Sequence, residues 1–151
     1  MGLPEIETER LLLRQFTLHD LDVYAERIFA DPDVTRFLPK RDISPQERAG
    51  RVLKYFGEHW QKHGFGDWAV TAKADGQLIG HCGLNFVPEA GEVEVEYALA
   101  KAYWGRGMAT EAARASVEFG FETLRLPRII ALADPQNIAS WRVMEKIGLT
   151  Y

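Results

Sequence analysis

Apolar and polar positions change period several times along the chain. From Thr8 to Phe16, Leu11 and Leu13 alternate with Arg10, Leu12 and Arg14, which predicts a strand. Thr17-Leu-His-Asp20 then has the layout of a capping box. Leu21, Tyr24, Ala25, Ile28 and Phe29 follow at helical spacing, and Asp31-Pro32 stops that helix. Ser44-Pro45-Gln46-Glu47 opens a second helix, with Ser as N-cap and Pro in its first turn. Its apolar stripe is Ala49, Val52, Leu53, Phe56 and Trp60, and His63-Gly64 closes it.

The pattern then becomes strand-like. Trp68, Val70 and Ala72 alternate with more polar neighbours, and Asp75-Gly76 is a hairpin signal. Leu78 to Val87 continues as a strand, in which Gly80 and Gly83 leave room for a close approach. After the turn Pro88-Glu-Ala-Gly91, residues Glu92 to Leu99 form the third strand of a meander. Glu92, Glu94 and Glu96 share one of its faces, and Val93, Val95 and Tyr97 the other. A helix starts near Gly107, with Ala109, Ala112, Ala113, Ser116, Val117, Gly120, Phe121 and Leu124 on its buried face. Arg128 to Ala133 reads as an apolar strand, and a short last helix runs from the Asp134-Pro-Gln-Asn137 turn to Lys146, with Gly148 as its stop. The predicted order is β, α, α, a β meander, then β–α–β–α.

Composition narrows the classes. The 151 residues are 46% hydrophobic, which suits one core without staples. Cys82 is the single cysteine, so an intramolecular disulfide is excluded. The net charge of −4 argues against a nucleic-acid binder. No apolar run is long enough to span a membrane and the N-terminus has no signal-peptide layout, so the expected location is cytoplasmic. His19, His59, His63 and His81 lack ligand spacing, so no metal is expected.

The stretch Tyr103-Trp-Gly-Arg-Gly-Met-Ala-Thr-Glu-Ala112 places glycines between a strand and a helix start. Free N–H groups there, the helix dipole and Arg106 make a candidate pyrophosphate cradle. A plain glycine turn is the alternative. A P-loop is excluded because no Gly-Lys-Ser/Thr follows. A Rossmann fingerprint is rejected: Thr110 stands at the third glycine, and the preceding strand carries glutamates.

With these residues in view, the chain resembles the GCN5-related N-acetyltransferase (GNAT) superfamily, in the branch containing the ribosomal-protein N-terminal acetyltransferases. The resemblance rests on four blocks in order: ETERLLLRQFT, DWAVTAKADGQLIGHCGL, VEVEYALAKAYWGRGMATEAA and DPQNIASWRVMEKIGL. The superfamily motif Gln/Arg-x-x-Gly-x-Gly/Ala reads here Trp104-Gly-Arg-Gly107-Met-Ala109, and Trp at its head matches this branch. The resemblance implies an α+β (mixed α/β) fold, a mostly antiparallel splayed sheet flanked by helices. Residues 1–151 are expected to form one N-acetyltransferase domain whose closing strand only begins at Gly148-Leu-Thr-Tyr151. An open sheet edge there would favour a homodimer.

The resemblance also implies acetyl-CoA as cosubstrate. Leu99 and Ala100 match the positions whose backbone meets the pantetheine arm. Trp104, Gly105, Arg106, Gly107, Met108, Ala109 and Thr110 match the segment around the pyrophosphate. Asn137 matches a pantetheine contact and is equally a plain N-cap. The implied activity is transfer of an acetyl group to a primary amine, with a protein N-terminus as first acceptor. Polyamines, amino acids, amine-bearing antibiotics and a degenerate cofactor-binding regulatory module are the alternatives.

Acetyl transfer to an amine needs a proton acceptor, an oxyanion donor and a group that restores a proton to the thiolate. A backbone N–H near Leu99 is the expected oxyanion donor. Glu94 matches the branch's glutamate and is the expected base, acting through water; a solvated strand face is the competing reading. Glu96 stands where the branch has glycine, a change that would narrow or recharge the acceptor site. Met144 occupies the place of the tyrosine acid of many relatives, so Ser140 is the candidate proton donor, with helix initiation as its alternative. Cys82, in mid-strand, is expected to be a core thiol rather than an acyl carrier.

Overall fold

The computed structural model describes residues 2–151. Its sheet has five strands in the order β1-β2-β3-β4-β5, each antiparallel to its neighbour. They are β1 (Ile6–Glu7), β2 (Leu11–Arg14), β3 (Asp67–Ala72), β4 (Leu78–Val87) and β5 (Glu92–Leu99). The helices are α1 (Leu21–Tyr24), α2 (Pro32–Thr35), α3 (Pro45–His63), α4 (Met108–Glu118) and α5 (Ile138–Lys146). This is the mixed, antiparallel, open sheet with flanking helices expected from the sequence. No helix among the described residues is long and apolar enough to cross a membrane.

The strand expected from Thr8 to Phe16 is present but shorter, as β2, and it pairs with the preceding β1 in a small hairpin. Thr8 turns the chain: its N–H donates to the Leu11 carbonyl at 2.9 Å, and its hydroxyl accepts from Leu11 N–H at 3.1 Å. After β2, a 3-10 turn (Leu18–Asp20) leads into α1, which continues as a π turn (Ala25–Phe29). The expected capping box joins Thr17 and Asp20, with Asp20 Oδ2 accepting from Thr17 N–H at 2.8 Å. Asp31-Pro32 does more than stop this helix. Asp31 Oδ1 accepts from Asp33 N–H at 2.9 Å, so the pair also caps and starts α2. Helix α3 has its expected ends: Ser44 Oγ accepts from Glu47 N–H at 3.1 Å, and Gly64 closes it at φ 74°.

Both faces of the sheet are covered. On one, Leu13, Trp68, Val70, Cys82, Leu84 and Val95 pack against Ala112, Ala113 and Val117 of α4. On the other, Tyr24, Ile28, Ala49 and Phe56 from the N-terminal helices cover Ala69 and Leu78. The expected alternation in β3 therefore does not hold, and all six of its residues are buried. Each large side chain removed from water in this way stabilises the fold by roughly 1.5–3 kcal/mol.

Two further expectations are corrected. Helix α4 ends in a π turn (Phe119–Thr123), whose extra residue shifts the helical phase. Phe119 consequently meets Trp68 edge-on at 5.2 Å, while Phe121, expected inside, is exposed. The strand expected from Arg128 to Ala133 is reduced to one parallel bridge between Ile130 and Glu94. Val95 N–H donates to the Ile130 carbonyl and Ile130 N–H to the Val93 carbonyl, both at 2.9 Å. The chain then leaves the sheet at the Asp134 turn, where Oδ1 accepts from Gln136 N–H at 2.8 Å.

Candidate active site

This early departure opens the edge of β5. Strand residues present their backbone groups alternately to the two edges. Val95 faces Ile130, so Tyr97 and Leu99 face the same side, beyond the bridge. The Leu99 carbonyl accepts from Trp104 Nε1 at 2.7 Å, leaving its N–H as the group directed to the open edge. Ala100 is different. Its N–H donates to the Ile79 carbonyl at 2.7 Å and its carbonyl accepts from Tyr103 N–H at 2.9 Å. Of the two backbone positions singled out on this segment, only Leu99 keeps a free donor.

Beyond Leu99 the chain makes a 3-10 turn (Lys101–Tyr103) and enters α4 through two glycines in the left-handed region, Gly105 at φ 75° and Gly107 at φ 76°. Gly107 is the N-cap and has no side chain with which to cap the helix. The N–H groups of Met108, Ala109 and Thr110 therefore lie in the unpaired first turn, where partial positive charge collects. Arg106 is exposed beside them, its guanidinium 5.5 Å from the centre of the Tyr103 ring. These groups fit a diphosphate without a metal.

Arg10, which the sequence gave no reason to select, braces this loop. Its Nε donates to Glu111 Oε1 at 2.7 Å and another guanidinium nitrogen to the Arg106 carbonyl at 2.8 Å. Glu111 Oε2 also accepts from the Thr8 hydroxyl at 2.6 Å and from Arg10 N–H at 2.9 Å. Burial works against the Glu111 charge, but these donors outweigh it and hold the carboxyl below its usual range. The β1–β2 turn is thus tied to the first turn of α4.

The two candidate reaction groups lie on opposite faces of β5. On one face, Glu94 Oε2 accepts from Asn85 Nδ2 at 3.2 Å, and the exposed Tyr55 hydroxyl donates to Asn85 Oδ1. Burial raises the Glu94 pKa, the nearby Glu96 charge raises it further, and the Asn85 hydrogen bond partly opposes both. On the other face, the Tyr97 hydroxyl lies 3.0 Å from both the carbonyl oxygen and Oγ of Ser140. Burial raises the Tyr97 pKa, so the phenol is held neutral. Asn137 Oδ1 accepts from Ser140 N–H at 3.2 Å, which makes Asn137 the N-cap of α5 and sets Ser140 in its first turn.

The remaining candidates have structural partners. His59 Nδ1 pairs with the Phe65 carbonyl at 2.8 Å and its Nε2 accepts from Phe86 N–H at 3.0 Å, and burial lowers its pKa. His81 Nδ1 lies 2.8 Å from the Tyr24 hydroxyl in the core. Cys82 is fully buried, 3.4 Å from Ser116 Oγ, and burial pushes its thiol up to about 12. A thiol held neutral in that way cannot serve as an acyl carrier. No group of three or more His, Cys, Asp or Glu side chains suited to a metal occurs among the described residues.

Sequence reasoning missed Arg10, Asn85, Tyr55 and Tyr97 as partners of the site. Asn85 and Tyr97 belong to strands whose register brings them to the site, and register is invisible until the strands are paired. The chain as a whole has relatives among known proteins. Residues 10–150 match the family model described as an acetyltransferase (GNAT) domain. The uncharacterised N-acetyltransferase YnaD of Bacillus subtilis is 34% identical over 146 residues, covering 95% of this chain and 81% of that protein. A crystal structure of an acetyltransferase from Agrobacterium tumefaciens superposes with a TM-score of 0.85 at 31% identity, covering 98% of this chain and 84% of that one. A ribosomal-protein alanine acetyltransferase from Vibrio fischeri shares the fold at a TM-score of 0.73 and 23% identity, covering 96% of this chain and 82% of that one. By match and by fold, this chain belongs to the GNAT acetyltransferase family.

Proposed function

We propose that the chain transfers the acetyl group of acetyl-CoA directly to a primary amine, with a protein N-terminus as the first candidate acceptor. The observation that carries this reading is the open edge of β5: it runs from the cradle at the start of α4 to the point where Glu94 and Ser140 flank the strand. The acceptor assignment draws support from the kind of substrate named for the Vibrio fischeri structure, and polyamines, amino acids and amine-bearing antibiotics are its alternatives.

In this reading Arg106 and the N–H groups of Met108 to Thr110 hold the diphosphate, braced by Arg10. Leu99 N–H donates to the oxygen on which negative charge develops; preorganised donors of this kind contribute about 10²–10³ in rate. Glu94 accepts the amine proton through a water, and its raised pKa suits a base that must hold a proton transiently. Ser140 returns a proton to the departing thiolate and takes a fresh one from solvent, while the Tyr97 hydroxyl beside Oγ supports the transient negative charge. Asn137 contributes by capping α5 and fixing Ser140. Cys82, buried and neutral, supports direct transfer over an acyl-enzyme route.

The test is release of thiol from acetyl-CoA with a panel of amines and N-terminal peptides. Thiol release that depends on an amine, with an acetylated amine as product, is expected. Binding of acetyl-CoA without turnover of any amine would favour a regulatory module instead.

A further inference from the structure

Across β3, β4 and β5, three residues stand in one row: Asp67 is opposite Gly83, and Gly83 is opposite Glu96. All three lie on the face that carries Glu94 and is covered by α3. Strand spacing puts the outer two backbones about 10 Å apart, a gap that two acidic side chains can close only if nothing stands between them. Gly83 supplies that condition. A Cβ there would lie 2.2 Å from the Gly66 carbonyl oxygen and 2.5 Å from Asp67 Cα, so the position admits no side chain. Asp67 is 2% exposed, and its Oδ1 has no hydrogen-bond donor among the described residues. Register, with no side chain at Gly83 between them, sets its carboxyl group beside that of Glu96, which is partly exposed. None of Asp67, Glu94 and Glu96 takes part in an ion pair with a Lys or Arg among the described residues.

Two carboxylates this close do not both ionise, and the deeper one keeps the proton. A protonated Asp67 would satisfy its orphaned oxygen by donating to Glu96. Glu96 would then be a fixed anion, unmatched by any cation among the described residues, beside the candidate base. We propose that Asp67 carries the single proton of an Asp67–Glu96 acid pair, and that Glu96, held by it, is the anionic subsite that receives the acceptor's ammonium group. The subsite rests on the amine-acetyltransferase reading; the proton-sharing pair does not. Asp67 is a positioning residue, acting through Glu96.

The groups around the pair leave the Glu96 charge uncompensated. Burial, then the Glu96 charge, push Asp67 well above the ordinary carboxylate range. The titratable groups facing the pair are Tyr24, Tyr55 and His59 from the helical layer, His81 from β4 and Glu94 from β5. The first three are held neutral, Tyr24 and Tyr55 by raised values and His59 by a lowered one, with burial as the largest cause in each. Burial likewise lowers His81.

Two readouts independent of turnover test the proposal. Infrared spectroscopy at neutral pH is expected to show the carbonyl stretch of a protonated carboxylic acid, absent in Asp67→Asn and retained in Glu94→Gln. Absence of the band from the wild type, or its survival in Asp67→Asn, would overturn the pair. Calorimetric titration with spermidine, in the presence of coenzyme A, reads the subsite. Glu96→Gln is expected to weaken binding by about tenfold or more, the loss of one charge-assisted contact. Asp67→Asn, whose amide still donates to Glu96, is expected to rescue the loss caused by Asp67→Ala. Equal affinity of wild type and Glu96→Gln, or no saturable binding to the wild type, would overturn the subsite. Because neither readout consumes acetyl-CoA, absence of acetyl transfer would count against the acetyltransferase reading alone.

Discussion

The Tyr97 hydroxyl and Ser140 Oγ stand 3.0 Å apart, joining the open end of β5 to the first turn of α5. The pair makes Ser140 part of a two-hydroxyl system rather than an isolated alcohol. Removing the Ser140 hydroxyl is expected to slow turnover by about 10²-fold, at the low end of general acid effects. Tyr97→Phe should give a smaller loss, because Ser140 keeps its own proton. Steady-state kinetics with saturating acetyl-CoA checks both. Full activity in Ser140→Ala would remove it from the mechanism and leave it as a helix-start residue.

Glu94 gives the activity a pH dependence with a definite sign. Its pKa is raised in the fold by burial and then by Glu96, and a base acts only when deprotonated. Activity should therefore fall on the acid side at a pH above the ordinary Glu range. Asn85→Ala removes the hydrogen bond that opposes the shift, so the acid limb should move to still higher pH. Glu94→Gln should lower kcat/KM by about 10²–10⁴ and abolish that limb. A limb that survives Glu94→Gln belongs to another group.

Arg10 offers a test of the cradle from outside it. The side chain holds the Arg106 carbonyl and Glu111 but belongs to the β1–β2 turn. Arg10→Ala is expected to weaken acetyl-CoA binding by about tenfold through loss of loop order, with kcat at saturation nearly retained. Arg106→Ala should weaken binding by a similar factor through loss of its charge. Calorimetry with acetyl-CoA separates these from folding defects, since the thermal midpoint can be followed on the same samples.

Cys82 provides a negative control. It is buried in the core with its thiol pushed up to about 12. Cys82→Ala should cost about 1 kcal/mol in stability, as a modest core truncation, and retain acetyl transfer. Loss of activity in a folded Cys82→Ala protein would revive an acyl-enzyme.

Much of the fold was written in local signals. Ser44, Pro45 and Glu47 announce the start of α3 and Gly64 its end, because caps are made by neighbours in sequence. The glycines around Arg106 and the bounds of β4 and β5 are legible for the same reason. What the sequence hid depends on distant partners. Thr8 and Arg10 turn and brace rather than continue a strand, because Glu111 lies 103 residues from Thr8. Phe119 replaces Phe121 in the core because a π turn shifts the helical phase. The shortened segment at Ile130 could not be foreseen from its apolar run, since pairing depends on where the chain turns away. The row of Asp67, Gly83 and Glu96 is a property of register alone.

The central claim is direct acetyl transfer to a primary amine at the open edge of β5. It is tested most directly by quantifying coenzyme A release and acetylated amine together, with wild type and Glu94→Gln compared across pH. The account predicts equal amounts of both products, strict dependence on the amine, and loss of the acid limb in Glu94→Gln. Coenzyme A release that is indifferent to the amine, or an unchanged pH profile in Glu94→Gln, would contradict it.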